Sequence, residues 1–307
     1  MKKRVTVVSP ASSANLGAGY DVFALALRKP FDTLTLQRTG REVRLIVEGA
    51  PLDTEPRNNV VSKVVTTMMG GERIGEGVSL LLRKGVPVGV GLGSSAASSA
   101  AASLGMNTLF DLGLDKQKLI EYAGVGEKMS SGTAHYDNVA AAIVGGFVIV
   151  DGSEGFVSME TPPQLTLCLV TPEVPLPPRK TEFARSLVPK HIPLAEVVDA
   201  VTSASMMVRG FSTGNLEIIG RAMQRGFVDP RRAVMIPGFE EVRELALKAG
   251  AFGACVSGAG PTVLAATTRG KARAVLKAML RGFREASVQS QGFVTGVGGG
   301  CRIIEQI

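Results

Sequence analysis

The segment Pro87-Val-Gly-Val-Gly-Leu-Gly-Ser-Ser-Ala-Ala97 sets three glycines, Gly89, Gly91 and Gly93, directly ahead of two hydroxyls and an alanine-rich run. Glycine lets a backbone approach an oxyanion closely and adopt positive φ. A helix starting at Ser94 presents unpaired N–H groups and the positive end of its dipole. Strand, glycine loop and helix together make a nest for a polyphosphate. The hydroxyls of Ser94 and Ser95 are able to cap the helix, bind phosphate oxygens or reach a metal. The G-x-x-x-x-G-K-[ST] spacing is absent, since no lysine follows the last glycine, and the glycines sit two apart rather than as G-x-G-x-x-G. The plain alternative is a hairpin turn before a helix capped by Ser94.

The elements that must hold this loop are legible around it. Val78 to Arg83 reads as the strand feeding it, and Ser94 to Phe110, apolar on all sides, as a buried helix. Upstream, Arg4–Ser9 and Val43–Glu48 read as strands, Pro10–Asp21 as a small-residue loop, Val22–Gln37 as extended structure broken near Lys29-Pro30, and Asn59–Met69 as a helix. Leu114–Ala123 is expected to be helical, and Asn138–Val150 to pass from a short helix to a strand through Gly145-Gly146. A proline-rich stretch with one strand, Leu165–Val170, follows a boundary near 152–163. Helices are expected at about 193–209, 214–225, 238–249 and 270–285. Strands are expected around Cys255, at Thr262–Ala266, and at 292–295 and 301–304. Without strict β-α alternation, the class is α+β.

The chain has 307 residues and a net charge of +7. With no Trp, 5% aromatics and no basic cluster interleaved with Tyr or Phe, the charge points away from nucleic acid and towards a small phosphorylated ligand. Cys168, Cys255 and Cys301 are scattered, which speaks against a zinc site or disulfide framework and for a reducing cytoplasm. No signal peptide or membrane span is expected.

P-x-x-x-G-L-G-S-S-A-A resembles the second motif of the GHMP kinases, a family named for galactokinase, homoserine kinase, mevalonate kinase and phosphomevalonate kinase. Pro10-Ala-Ser-Ser-Ala-Asn-Leu-Gly-Ala-Gly-Tyr-Asp21 resembles the first motif and Val256-Ser-Gly-Ala-Gly-Pro-Thr262 the third, in the family's order. The resemblance implies a two-domain α+β fold. An N-terminal ATP-binding domain (1–155) would carry a left-handed β-α-β unit, and a C-terminal domain (160–307) would be ferredoxin-like. It also implies ATP and Mg2+, with Pro87, Gly89, Val90, Gly91, Leu92, Gly93, Ser94, Ser95, Ala96 and Ala97 around the nucleotide, and Glu127 and Ser95 on the metal.

Further segments are similar to the homoserine-phosphorylating branch: Gly132-Thr-Ala-His135-Tyr-Asp-Asn138, Thr181-Glu-Phe-Ala-Arg185 and Arg232-Ala-Val-Met-Ile-Pro-Gly238. That branch implies L-homoserine as the second substrate, threonine biosynthesis as its context, and a homodimer. Asp21 and Asn15 would face the ammonium or hydroxyl. Arg185 and Arg232 would clamp the carboxylate, which Arg matches in bidentate fashion. His135 and Asn138 would meet the remaining polar groups, and Gly258 and Gly260 would form a second backbone turn nearby. Catalysis would rest on Asn138, Glu127 and Ser95 through alignment and charge neutralisation, with Asp137 as a base or with no base at all. The competing readings are another kinase of this family, for shikimate, pantoate or a mevalonate-type alcohol, and a non-catalytic binding protein on the same scaffold. Residue by residue, Asp21 is alternatively a turn residue, the arginines surface charges, Glu127 a helix-end charge, His135 structural and Gly258–Gly260 a hairpin bend.

Overall fold

In the computed structural model, residues 2–131, 136–152 and 154–307 are described. Strand β1 (Arg4–Asn15) pairs antiparallel with the long β2 (Gly19–Thr39) from Arg4↔Gln37 to Asn15↔Gly19. The loop expected over Pro10–Asp21 is therefore strand up to Asn15 and again from Gly19. Ala11, Ser12, Ser13 and Ala14 are weak strand formers, but all are buried. Their small side chains let helices lie close over the sheet, and packing of this kind overrides propensity. The tight link between the strands runs through Asn15, Leu16 and Gly17, all at positive φ.

Strand β3 (Arg44–Glu48), helix α1 (Val60–Gly71) and strand β4 (Gly77–Arg83) form a crossover in which β3 and β4 lie parallel. Asn59 Oδ1 accepts from Val61 N at 3.0 Å and so caps α1. Helix α2 (Ser94–Leu109) follows the glycine loop. Its Ala96, Ala97, Ala100, Ala101, Ala102 and Met106 are wholly buried, which explains why the run is apolar all round. Then come α3 (Lys116–Ser131), α4 (Tyr136–Val144), β5 (Phe147–Asp151) and β6 (Gly155–Met159). Strand β6 lies inside the stretch expected to be a boundary.

Strand β7 (Leu165–Pro172) opens a second sheet, followed by α5 (Lys180–Ser186), α6 (Leu194–Thr213), α7 (Leu216–Met223), the single turn α8 (Asp229–Arg232) and α9 (Phe239–Lys248). Strands β8 (Gly253–Val256) and β9 (Val263–Thr268), helix α10 (Ala272–Glu285) and strand β10 (Ser290–Gly296) complete it. Its order β10-β7-β9-β8, antiparallel throughout, is the split β-α-β-β-α-β arrangement. The last strand, β11 (Arg302–Gln306), does not join it. It pairs antiparallel with β1, giving a first sheet of order β11-β1-β2-β4-β3 with β5 on β2 and β6 on β5. Residues 302–306 thus belong to the first sheet although they follow the second in the chain.

The two halves share a core. Leu16, Leu25 and Phe147 from the first pack with Leu165, Met207, Phe211 and Leu264 from the second, and the rings of Phe147 and Phe211 stack 4.0 Å apart. Among the described residues no helix is long and apolar enough to cross a membrane.

Candidate active site

The glycine loop links β4 to α2, and its three glycines have φ of 79°, 85° and 64°. The space around two of them shows why no other residue serves. A Cβ on Gly91 would lie 2.3 Å from the Ser257 carbonyl oxygen. One on Gly93 would lie 2.1 Å from Ser12 Oγ and 2.9 Å from Asn138 Oδ1. The three motifs thus meet at this loop. Ser12 N donates to Leu92 O at 3.1 Å, Thr262 N to Val90 O at 3.3 Å, and Ser257 Oγ lies 2.7 Å from Gly91 O and 2.8 Å from Ser13 Oγ.

Beneath the start of α2 lies a buried ion pair, Lys84–Asp32, whose side chains are 2% and 0% exposed. Asp32 Oδ1 accepts from Gly85 N and Val86 N, each at 3.0 Å, and Oδ2 accepts from Ser98 Oγ at 2.7 Å. Lys84 Nζ donates to Ser94 O at 3.0 Å. Burial pulls the Lys84 ammonium below its ordinary value, while Asp32 and Glu127 push it back up. This network fixes the strand end and the first helical turn on either side of the loop. Ser94 Oγ donates to Val86 O at 3.0 Å, and Gly93 occupies the N-cap, so Ser94 closes the loop and does not cap the helix.

A cleft of about 280 Å³ opens between the halves. Of the residues singled out from sequence, Gly89, Gly91, Leu92, Gly93, Ser94, Ser95, Glu127, Asn138, Asn15, Asp21, Arg185, Arg232 and Gly258 line it. Pro87, Val90, Ala96, Ala97 and Gly260 do not. Val90 packs on the shared core, and Ala96 and Ala97 face inward, so these support the loop by packing. His135 lies outside the described residues.

Within the cleft the side chains are already engaged with one another. Arg185 Nη2 donates to both carboxylate oxygens of Asp21, at 3.0 and 2.8 Å. Asn15 braces the first motif against the third: its Nδ2 donates to Gly258 O at 2.9 Å and its Oδ1 accepts from Asp21 N at 3.0 Å. Arg232 is 4% exposed and donates to Gly258 O at 2.7 Å and Ala184 O at 3.3 Å. Both guanidinium groups lie over the Tyr20 ring, at 5.6 and 5.3 Å. Asn138 Oδ1 accepts from Ser12 Oγ at 2.8 Å, and its Nδ2 lies 3.3 Å from Asp137 Oδ1.

Sequence reasoning missed Asp32, Lys84, Ser98 and Lys180. The first three are brought together from β2, the end of β4 and α2, with no local pattern to mark them. Lys180 opens α5, a helix hidden within a proline-rich stretch. A second cavity of about 180 Å³, lined by Leu52, Asn59, Leu82 and Lys84 among others, shares Val88, Ser94 and Ser95 with the cleft.

Glu127, on α3, is 7% exposed and, like the Ser95 hydroxyl, faces the cleft. No group of three or more His, Cys, Asp or Glu among the described residues forms a complete protein cage for a metal. One carboxylate and one hydroxyl, both hard oxygen donors, suit an ion that takes the rest of its shell from water and phosphate oxygens, as magnesium does.

Comparison with known proteins agrees with this architecture. The models of the GHMP kinases N terminal domain and the GHMP kinases C terminal domain match residues 59–146 and 207–285. The chain belongs to the GHMP kinase family. It is 40% identical to a homoserine kinase of Natronomonas pharaonis, over 97% of this chain and 99% of that one, and 36% identical to a homoserine kinase of Methanocella arvoryzae, over 98% of each. The crystal structure of homoserine kinase from Cytophaga hutchinsonii superposes with a TM-score of 0.92 at 33% identity, covering 99% of this chain and 98% of that one.

Proposed function

We propose that this protein transfers the γ-phosphoryl group of ATP to the hydroxyl of L-homoserine, giving O-phosphohomoserine. The observation that carries the reading is the convergence of the glycine loop, Asn138 and the Asp21–Arg185–Arg232 cluster on one cleft. Likeness to homoserine kinases along the whole chain supports the choice of substrate.

In this reading the amides between Gly89 and Ser95 and the dipole of α2 grip the triphosphate. The nucleoside occupies the second cavity, which shares Ser94 and Ser95 with the cleft. The amino acid lies in the cleft, its carboxylate taken by Arg185 and its ammonium by Asp21, so that the substrate's two charged ends replace the contact these residues make with each other. Asn138 orients the hydroxyl. The hydroxyl oxygen attacks the γ-phosphorus, the bond to the β–γ bridging oxygen breaks, and the hydroxyl proton leaves to water or to a phosphoryl oxygen. Glu127 and Ser95 would hold Mg2+, which neutralises phosphate charge when bound. Alignment and fixed charge account for the rate, as expected of phosphoryl transfer. The three free cysteines support a reducing, cytoplasmic setting. The reading also carries a homodimer with it.

The test is ADP release by the purified protein with Mg·ATP and each of homoserine, shikimate, pantoate and mevalonate. Release dependent on homoserine alone supports the reading, and activity confined to another alcohol overturns it.

A further inference from the structure

The geometry points to Lys180 as the cation that meets the terminal phosphate of the bound triphosphate, a role that rests on the kinase reading above.

Three observations lead there. First, the cleft's other cations are occupied. Arg185 is bound to Asp21, and Arg232 is nearly covered and directs its donors to two backbone carbonyls. Lys180 Nζ donates to the Gly260 carbonyl at 2.6 Å and pairs with no carboxylate among the described residues. An ammonium has three N–H donors, so two remain for a ligand.

Second, its position is at the phosphate side of the cleft. The Gly260 oxygen that receives Lys180 lies 2.8 Å from where a Cβ on Gly91 would stand. The ammonium therefore borders the middle glycine of the loop.

Third, no carboxylate of the described residues pairs with this ammonium. The charged groups around the cleft are Arg232 on α8, Arg185 on its own helix α5, Asp21 on β2, Glu127 on α3 and Asp137 on α4. Burial first, and then the positive charge of Arg232, hold Lys180 down at about 8, against an ordinary 10.5. An arriving polyanion places a negative charge against the ammonium and pushes the group back up. Near pH 8 the free protein therefore holds Lys180 partly neutral, and binding of a triphosphate draws in a proton.

The experiment uses wild type, Lys180→Met and Lys180→Arg. Calorimetry with a non-hydrolysable ATP analogue and with ADP, each with Mg2+, is run at pH 8 in two buffers of different ionisation heat. Wild type is expected to take up a fraction of a proton with the triphosphate and less with ADP. Lys180→Met is expected to lose that uptake and to bind the triphosphate about tenfold more weakly or worse, the range for a hydrogen bond to a charged group. Its homoserine KM should stay within about twofold, while kcat falls by about 10²-fold, in line with losing a preorganised donor at a reacting oxyanion. Lys180→Arg should keep the triphosphate affinity without the proton uptake. Unchanged uptake and triphosphate affinity in Lys180→Met, or a defect confined to homoserine KM, overturns the assignment. If wild type binds the triphosphate with proton uptake yet phosphorylates no homoserine, the substrate reading fails while Lys180 stays assigned.

Discussion

Ser12 Oγ donates to Asn138 Oδ1 at 2.8 Å, and Gly93 comes so close to both that no larger residue fits between them. The first motif, the glycine loop and α4 are locked at one point, and the direction of the Asn138 amide is set there.

Asn138→Ala is expected to lower kcat by about 10²-fold, the loss that follows from mispositioning a reacting group. Ser12→Ala frees the amide to turn and should cost about tenfold by the same route. Steady-state kinetics with homoserine varied, beside thermal melts showing an intact fold, checks both. Full turnover in Asn138→Ala would remove that residue from the mechanism.

Asp21 and Arg185 are each about one-third exposed, at 38% and 35%. Ion pairs of that exposure contribute about 1 kcal/mol or less to stability. Arg185→Ala should therefore melt close to wild type while homoserine KM rises tenfold or more, since a bidentate partner for the carboxylate is gone. Urea unfolding and the two KM values separate these effects. An ATP KM that rises as much as that of homoserine would move Arg185 to the nucleotide.

The Lys84–Asp32 pair behaves in the opposite way because water does not reach it. Asp32→Ala leaves a buried ammonium without its partner and should destabilise the fold by about 3–5 kcal/mol. The double variant Asp32→Leu/Lys84→Met removes both charges and is expected to be more stable than Asp32→Ala alone. Denaturant titration of the three proteins gives the comparison.

Asp229 is buried, with its Oδ2 accepting from Val256 N at 2.8 Å. Burial pushes its carboxyl up to about 6, against which the Val256 amide, Arg232 and Arg243 pull down. The folded value exceeds the unfolded 3.8, so between them the native state holds more protons than the unfolded chain. Its contribution is fully present below about pH 4 and is lost as pH rises through about 6. The stability of wild type relative to Asp229→Asn should accordingly fall by on the order of 3 kcal/mol from pH 4 to pH 7. A flat difference across that range would refute the assignment.

What the sequence made legible were features carried by short spacings. Gly89, Gly91 and Gly93 ahead of Ser94 marked the loop, and the alanine run marked α2 as buried. Asn15, Asp21, Arg185, Arg232 and Gly258 were picked out by the segments around them, and the structure brings them into one cleft. Contacts between distant side chains were hidden. Nothing in Phe31-Asp32-Thr33 says that Asp32 will receive Lys84 from 52 residues away. The polar pattern Pro-Ala-Ser-Ser-Ala-Asn gave no hint that two helices would cover it and hold it as strand. Helix α5 was missed because the prolines on either side drew the reading towards a loop, and Lys180 was missed with it.

Strand β11 closes the edge of β1, and this has a bearing on how the protein is made. Translation delivers every other strand of the first sheet before residues 302–306, and the whole second sheet emerges in between. Until then β1 presents a bare row of amides and carbonyls, the kind of template that captures stray chains. The nascent chain thus carries an open edge until its last strand arrives to cover it.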